Sequence, residues 1–244
     1  EPVVRLHRGD VTQPREPVGP GGLTAIGPPL DIPTSATDAE RRAAFAAWVT
    51  DPRNPLTARV VVNRLWQYHF GTGLMDTPSD LGRNGGKPTH PELLDWLAAE
   101  LVEHAWSLKH VHRLIVTSAT FRQGSAATPT GLAKDAQARL LWRYPPRRLE
   151  AEPLRDAVLA VTGSLNPMAG GPGFDLFEPN ANYVRVYAPR TTFGPAEFRR
   201  MVYLFKPRMR VDDTFGAFDC PDAGQVAPRR TASITQSSGT PKRE

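Results

Sequence analysis

Residues 54–71, N-P-L-T-A-R-V-V-V-N-R-L-W-Q-Y-H-F-G, decide the fold class. Asn54 suits a helix N-cap, Pro55 the first helical position and Gly71 the C-terminal cap. Between them Ala58, Val61, Val62, Leu65, Trp66, His69 and Phe70 recur at i, i+3, i+4, i+7, i+8, i+11 and i+12. That spacing puts all seven on one face of an α-helix, so the segment is amphipathic and lies against a core. Arg59, Asn63 and Gln67 form a separate polar stripe.

The neighbouring segments repeat the pattern. Upstream, T-D-A-E from Thr37 reads as a capping box and opens a helix carrying Ala44, Phe45, Trp48 and Val49. Downstream, the polar loop 71–88 contains T-P-S-D-L-G-R-N-G-G-K-P; loops of that length are often functional when ordered. A second capping box, Thr89 to Glu92, opens a helix with Leu94, Leu97, Ala98, Leu101, Val102 and Ala105 on its core face. Ser107 caps the next, which turns Leu108, Val111, Ile115 and Ala119 inward. Residues 124–135 read as a loop. A further helix spans about 152–162, with Leu154, Ala157, Val158 and Val161 as its stripe and Gly163 as its stop.

Beyond 166 the helical period is lost. N-Y-V-R-V-Y alternates and suggests a strand over 183–187. A last helix is expected from Gly194-Pro195, burying Phe198, Met201, Val202 and Phe205 and ending near Pro207. The expected architecture is mainly α: a single multi-helix domain with a small irregular α+β C-terminal appendage. Its parts are a Pro/Gly-rich extended arm (1–36), a helical core packed around Trp48, Trp66, Leu97 and Ile115 (37–165), an irregular appendage with one helix (166–230), and a disordered tail (231–244). No internal repeat is present.

Composition is that of an ordinary globular protein, with 40% apolar and 23% charged residues. No apolar run is long enough for a membrane helix. The chain begins at Glu1 without a leader pattern, which suggests a fragment or a processed piece. The net charge is +5, and arginine dominates the basic residues. Acidic residues are interspersed, so an arginine-favouring coding sequence explains the balance better than nucleic-acid binding. Cys220 is the single cysteine, which rules out an intrachain disulfide, and no C-x-x-C-H segment exists to attach a c-type haem.

Five of the six histidines fall between His69 and His112. His110 and His112 are two apart on a helix and point about 200° from each other, so they cannot share a metal ion. An H-x-x-x-H pair is absent. His69 and His112 lie on or beside core stripes and read as buried, hydrogen-bonded residues; His104 follows Glu100 by four and reads as its surface partner. No metal site is expected. His90 differs, because it falls in the first turn of a helix, where free N–H groups favour anions. The preceding loop supplies Asp80, Arg83, Asn84 and Lys87. Asp212, Asp213, Asp219 and Asp222 lack EF-hand spacing and read as turn formers. Cys220 lies among carboxylates, which disfavour a nucleophilic thiolate. Arg199, Arg200, Lys206, Arg208 and Arg210 read as a solvated face with local ion pairs rather than a phosphate track. No G-x-S-x-G, P-loop or Rossmann fingerprint occurs.

The segments N-P-L-T-A-R-V-V-V-N-R-L-W-Q-Y-H-F-G, T-H-P-E-L-L-D-W-L, W-S-L-K-H and T-S-A-T-F-R-Q together resemble a family of planctomycete domains of unknown function. R-R-L-E-A-E-P-L-R-D, V-Y-A-P-R, F-G-A-F-D-C-P-D-A-G and P-R-R-T extend the likeness from L-H-R-G-D to about Arg230. Such domains usually form the C-terminal part of large chains that also carry a cytochrome c-like domain. The resemblance implies an accessory or binding module of a larger exported, extracytoplasmic protein, with haem only on other domains and no cofactor in this chain. It implies other domains of the same polypeptide, or a polymeric ligand, as partners, with nucleic acid disfavoured. Asn63, Arg64, Trp66, His69, Asp80, His90, Asp95 and Lys109 match its motifs and, with Arg83, are the candidate binding residues. It establishes no catalytic residue. After P-R-R-T the family continues into T-P-x-Q-A-L, whereas this chain reads T-A-S-I-T-Q-S-S-G-T-P-K-R-E, as a truncated or frame-shifted sequence would. The alternative function is a hydrolase-like enzyme with His90 as acid–base, oriented by Asp80 or Asp95.

Overall fold

A computed structural model describes residues 3–23, 25–179, 186–208, 210, 212–221, 223–224, 227 and 230. The chain divides into two compact units, residues 1–146 and 147–244. The first contains β1 (Val4–His7), β2 (Asp10–Pro17), α1 (Asp38–Thr50), α2 (Pro55–Phe70), α3 (Pro91–Glu103), α4 (Leu108–Thr117), α5 (Ala119–Arg122) and α6 (Pro129–Lys134). The second contains α7 (Ala151–Val161), β3 (Phe177–Pro179), β4 (Tyr187–Pro189), a 3-10 turn (Met201–Tyr203) and α8 (Asp213–Ala217). Among the described residues the fold is predominantly helical, with two small two-stranded antiparallel sheets.

α2 forms as its sequence dictates. The Asn54 side chain accepts from the Leu56 N–H at 3.1 Å, and Gly71, at φ +83°, closes the helix with its N–H on Gln67 O. α2, α3 and α4 pack on one another and bury Val62, Leu97, Leu101, Val111 and Ile115. Trp66 and Phe70 stack at 4.2 Å, and Phe121 and Tyr144 cover the end of α2. Ser107 caps α4 as expected, accepting from the His110 N–H.

Trp48 is not a core residue. α1 forms with its Thr37–Glu40 capping box intact but buries none of its side chains. Trp48 donates its indole N–H to Pro28 O at 2.7 Å and stacks on Phe45, which is 51% exposed. The expected box at Thr89 is also absent. The Thr89 hydroxyl turns back to Leu74 O, and His90 is the N-cap without a side-chain cap bond. α4 stops at Thr117 because Ser118 ends it and recaps α5, accepting from the Phe121 N–H. α6 occupies part of the stretch read as loop.

The N-terminal arm is not wholly extended. β1 and β2 form a hairpin despite Pro14 and Pro17, with register shifts where those residues cannot donate. α7 belongs to the second unit, and its stripe is largely solvated: Val158 is exposed and Val161 is 89% exposed. The helix expected from 194 shrinks to the 3-10 turn. One i−4 bond forms, from the Phe198 N–H to Gly194 O, and beyond it backbone groups pair across the chain: Asn166 N–H to Phe198 O, Phe174 N–H to Tyr203 O and Phe205 N–H to Phe174 O. Val202 and Phe205 are exposed. Residues 183–185 of the expected strand lie outside the described residues; β4 begins at Tyr187 and pairs with β3. The tail 231–244 is also outside them.

Candidate functional site

The loop between α2 and α3 is held from beneath by side chains of buried or half-buried residues. Asn63, 1% exposed, accepts from the Met75 N–H and donates to Met75 O, both at 2.9 Å. This imitates a rung of a β-ladder and satisfies both backbone groups of a buried residue. Arg139 donates to Gly73 O at 2.8 Å and Leu74 O at 3.4 Å, and the Thr89 N–H adds a third bond to this corner. The Thr77 hydroxyl donates to Asp80 O at 2.8 Å and accepts from the Gly86 N–H at 2.9 Å. A Cβ at Gly85 would collide with Asp80 O, and one at Gly73 would lie 2.6 Å from Asn63 Oδ1. Leu74 and Met75 are buried as plugs.

Arg64 reaches this loop through Ser79 Oγ at 3.3 Å. Asp80 accepts from the Gly82 N–H at 2.9 Å, a local turn contact. Asp76, Arg83 and Lys87 are exposed and make no side-chain hydrogen bond among the described residues, and Lys109 on α4 is the same. His90 Nδ1 meets Thr89 Oγ1 at 3.0 Å, whereas Asp95 pairs with Arg59 Nε at 2.7 Å. Neither Asp80 nor Asp95 is hydrogen-bonded to His90. A cavity of about 40 Å³ below Thr89, lined by Trp66, Gly73 and Arg139, has room for water-sized molecules and is far too small for a substrate. Trp66 itself is a core residue.

The histidines form two pairs. His69 Nε2 lies 2.8 Å from His112 Nδ1, so one ring donates and the other accepts. Phe121 meets His69 edge-on, and Tyr144 donates to His69 O at 2.8 Å. Both are the hydrogen-bonded residues expected from their stripe positions. The second pair, His104 and His110, stacks at 3.7 Å with ring planes 12° apart. Both face Glu100: Oε2 lies 2.7 Å from His110 Nε2 and 3.4 Å from His104 Nδ1. The sequence shows the Glu100–His104 spacing but not the third member. His110 joins because Ala105 (φ +53°) and Trp106 (φ +60°) reverse the chain between α3 and α4. Two consecutive left-handed residues other than glycine cost about 1–2 kcal/mol each, and half-buried Trp106, packed on the core, fixes them.

In the second unit Arg199, Arg200 and Lys206 of the basic run are used internally, whereas Arg208 and Arg210 are exposed. Arg199, 3% exposed, donates to Met168, Gly170 and Pro172 carbonyls and lies 3.9 Å over the Tyr203 ring. Arg155 donates to Glu197 O and Arg199 O, and burial lowers the pKa of its guanidinium. Arg200 pairs with Asp156. Glu152 joins Lys206 at 2.7 Å and Arg230 at 2.6 Å. Burial raises the Glu152 pKa, but the bonds from Arg230 and Lys206 outweigh it and hold the carboxyl at about 2. Cys220 Sγ lies 3.5 Å from Lys206 Nζ at the edge of this cluster. Of the acidic set, Asp212 accepts from the Phe215 N–H, Asp213 opens α8, Asp219 is 4.0 Å from Arg148, and Asp222 lies outside the described residues.

No helix among the described residues is long and apolar enough to cross a membrane. No curated protein and no solved structure matches the chain. Residues 41–238 match the model of a family described as PSD1, protein of unknown function (DUF1553). That span takes in both the clamped loop and the arginine-rich second unit, and the chain belongs to this family.

Proposed function

We propose that this chain is an accessory docking module whose clamped loop at 72–89 receives another domain of the same polypeptide. The observation that carries the reading is the contrast within the loop. Its backbone is fixed by Asn63, Arg139 and Thr77, while Asp76, Arg83 and Lys87 project without partners among the described residues. A loop ordered in advance loses little conformational freedom on binding. Exposed groups of both signs suit a protein surface better than a phosphate chain. The internal use of Arg199, Arg200 and Lys206 points the same way.

The resemblance noted above supports the finer parts of the proposal: a larger, exported, planctomycete-type protein, with haem on a cytochrome c-like domain elsewhere. In that setting the module is extracytoplasmic and non-catalytic. A hydrolase acting through His90 finds less support, since among the described residues the imidazole bonds to Thr89 and both candidate carboxylates pair elsewhere.

Amine-directed cross-linking of the native full-length polypeptide tests this. Links from Lys87 to residues outside this chain, lost when Asp76 is changed to Arg and Arg83 to Glu with Lys87 kept, are expected. Links confined to this chain, or external links that survive the double change, would overturn it.

A further inference from the structure

We propose that Glu100, His104 and His110 form a binding site for a divalent transition-metal ion of the zinc class. The three residues offer one ligand atom each, all within 4.8 Å of one another. Glu100 Oε2 lies 3.4 Å from His104 Nδ1, close to the ~3.3 Å between ligand atoms in a tetrahedral site with bonds of about 2.05 Å. The 2.7 Å to His110 Nε2 is a hydrogen-bond distance and opens by about half an ångström on metal binding. Two imidazoles and one carboxylate are a donor set of intermediate softness. They suit zinc, nickel or copper better than magnesium or calcium, which prefer oxygen alone.

The surroundings favour a cation. Glu100 supplies one negative charge, and the site sits at the C-terminal end of α3, where free carbonyls carry partial negative charge. The backbone holds the three side chains together, and the two imidazoles, stacked with planes 12° apart, turn about their side-chain bonds to aim both lone pairs at one ion. Glu100 and His104 share a helix face one turn apart, and the left-handed pair Ala105–Trp106 brings the first turn of α4 over them. Side-chain exposure is 46% at His104 and 27% at His110, so an ion reaches the site from solvent and a fourth position stays open to water. Binding is an exchange. His104 Nδ1 gives up its 3.0 Å contact with Glu100 O, His110 Nε2 gives up its bond to the carboxylate, and any protons on these nitrogens pass to solvent.

This site is separate from the loop at 72–89, so the two proposals stand or fall apart. The test is zinc titration of the whole chain, followed by histidine ring NMR and by thermal unfolding. Zinc at micromolar to low millimolar concentration is expected to shift the His104 and His110 resonances and to raise Tm by several degrees. His104→Ala, His110→Ala and Glu100→Gln are each expected to lose at least about tenfold in zinc affinity. His7→Ala, in the N-terminal hairpin, is expected to bind as the parent does. His104→Ala removes the most exposed ligand and serves if His110→Ala fails to fold. Unmoved His104 and His110 resonances, or equal zinc affinity in the His104→Ala and Glu100→Gln variants, would overturn the assignment.

Discussion

Trp66 and Arg199 are both almost fully buried, and they hold their surroundings in opposite ways. Trp66 belongs to a face of α2 that packs by area and shape against α3, α4 and its own neighbour Phe70. Arg199 sits in a segment without regular structure and organises three backbone carbonyls around one guanidinium. The first unit is therefore a helical stack stabilised by apolar burial. The second, with few buried apolar residues, is stitched by Arg155, Arg199, Lys206 and Arg230. Apolar burial advertises itself through periodicity. A buried arginine does not, because its partners are carbonyls that every residue carries.

The largest expected effect is on the apolar side. Trp66→Ala should destabilise the first unit by about 3–5 kcal/mol, read from urea unfolding by circular dichroism. Arg199→Met keeps the length of the side chain but leaves the Met168, Gly170 and Pro172 carbonyls unpaired. A loss of about 2–4 kcal/mol is expected, read from labelling of Cys220, which lies in that unit. A near-neutral result would show that the carbonyls find water and that the second unit does not depend on its arginines. Asn63→Ala exposes the difference within the first unit itself. It removes no apolar packing, yet should cost about 2–3 kcal/mol by orphaning both backbone groups of Met75. Amide exchange at Met75 should rise with it.

Acid supplies a weaker probe. The Glu152 carboxyl titrates at about 2 in the folded chain and near 4.3 when unfolded. Its contribution is complete above pH ~4.5 and disappears as the pH falls toward 2. About 1–2 kcal/mol is at stake, after allowance for solvent screening. Glu152→Gln should remove most of that acid sensitivity. The smallest effect belongs to Phe45→Ala, expected to change stability by less than about 0.5 kcal/mol, because this aromatic on α1 is half exposed. A larger loss would mean that α1 packs more firmly than its exposure indicates.

These contrasts explain what the sequence disclosed. Asn54, Pro55, Gly71 and the seven-residue stripe make α2 readable in the sequence, since caps and period are local properties. The same reading overvalues Trp48, whose indole N–H meets Pro28 O while Phe45 beside it stays half exposed. It extended a helix over Phe198–Phe205 because Met201 and Phe205 have helical spacing, while the hydrogen bonds there run to 166–174. The candidate site was half legible. Asn63 and the loop it supports stood out, but as a polar stripe, with no sign that the amide faces Met75. His90, Asp80 and Asp95 looked like a cluster through closeness in the chain and are dispersed by their partners. His110 joined Glu100 and His104 only through two left-handed residues, a geometry no side-chain pattern announces.

Acid titration with two probes decides most directly whether the two units rest on different forces. All five tryptophans lie in the first unit and the single cysteine in the second, so fluorescence and thiol labelling report on them separately. Between pH 5 and 2, labelling of Cys220 by an acid-tolerant pyridyl disulfide, normalised to the unfolded chain, should accelerate before tryptophan emission changes. In Glu152→Gln the labelling rate should already be high at pH 5 and vary little below it. Simultaneous transitions in both probes, unchanged by Glu152→Gln, would contradict the account.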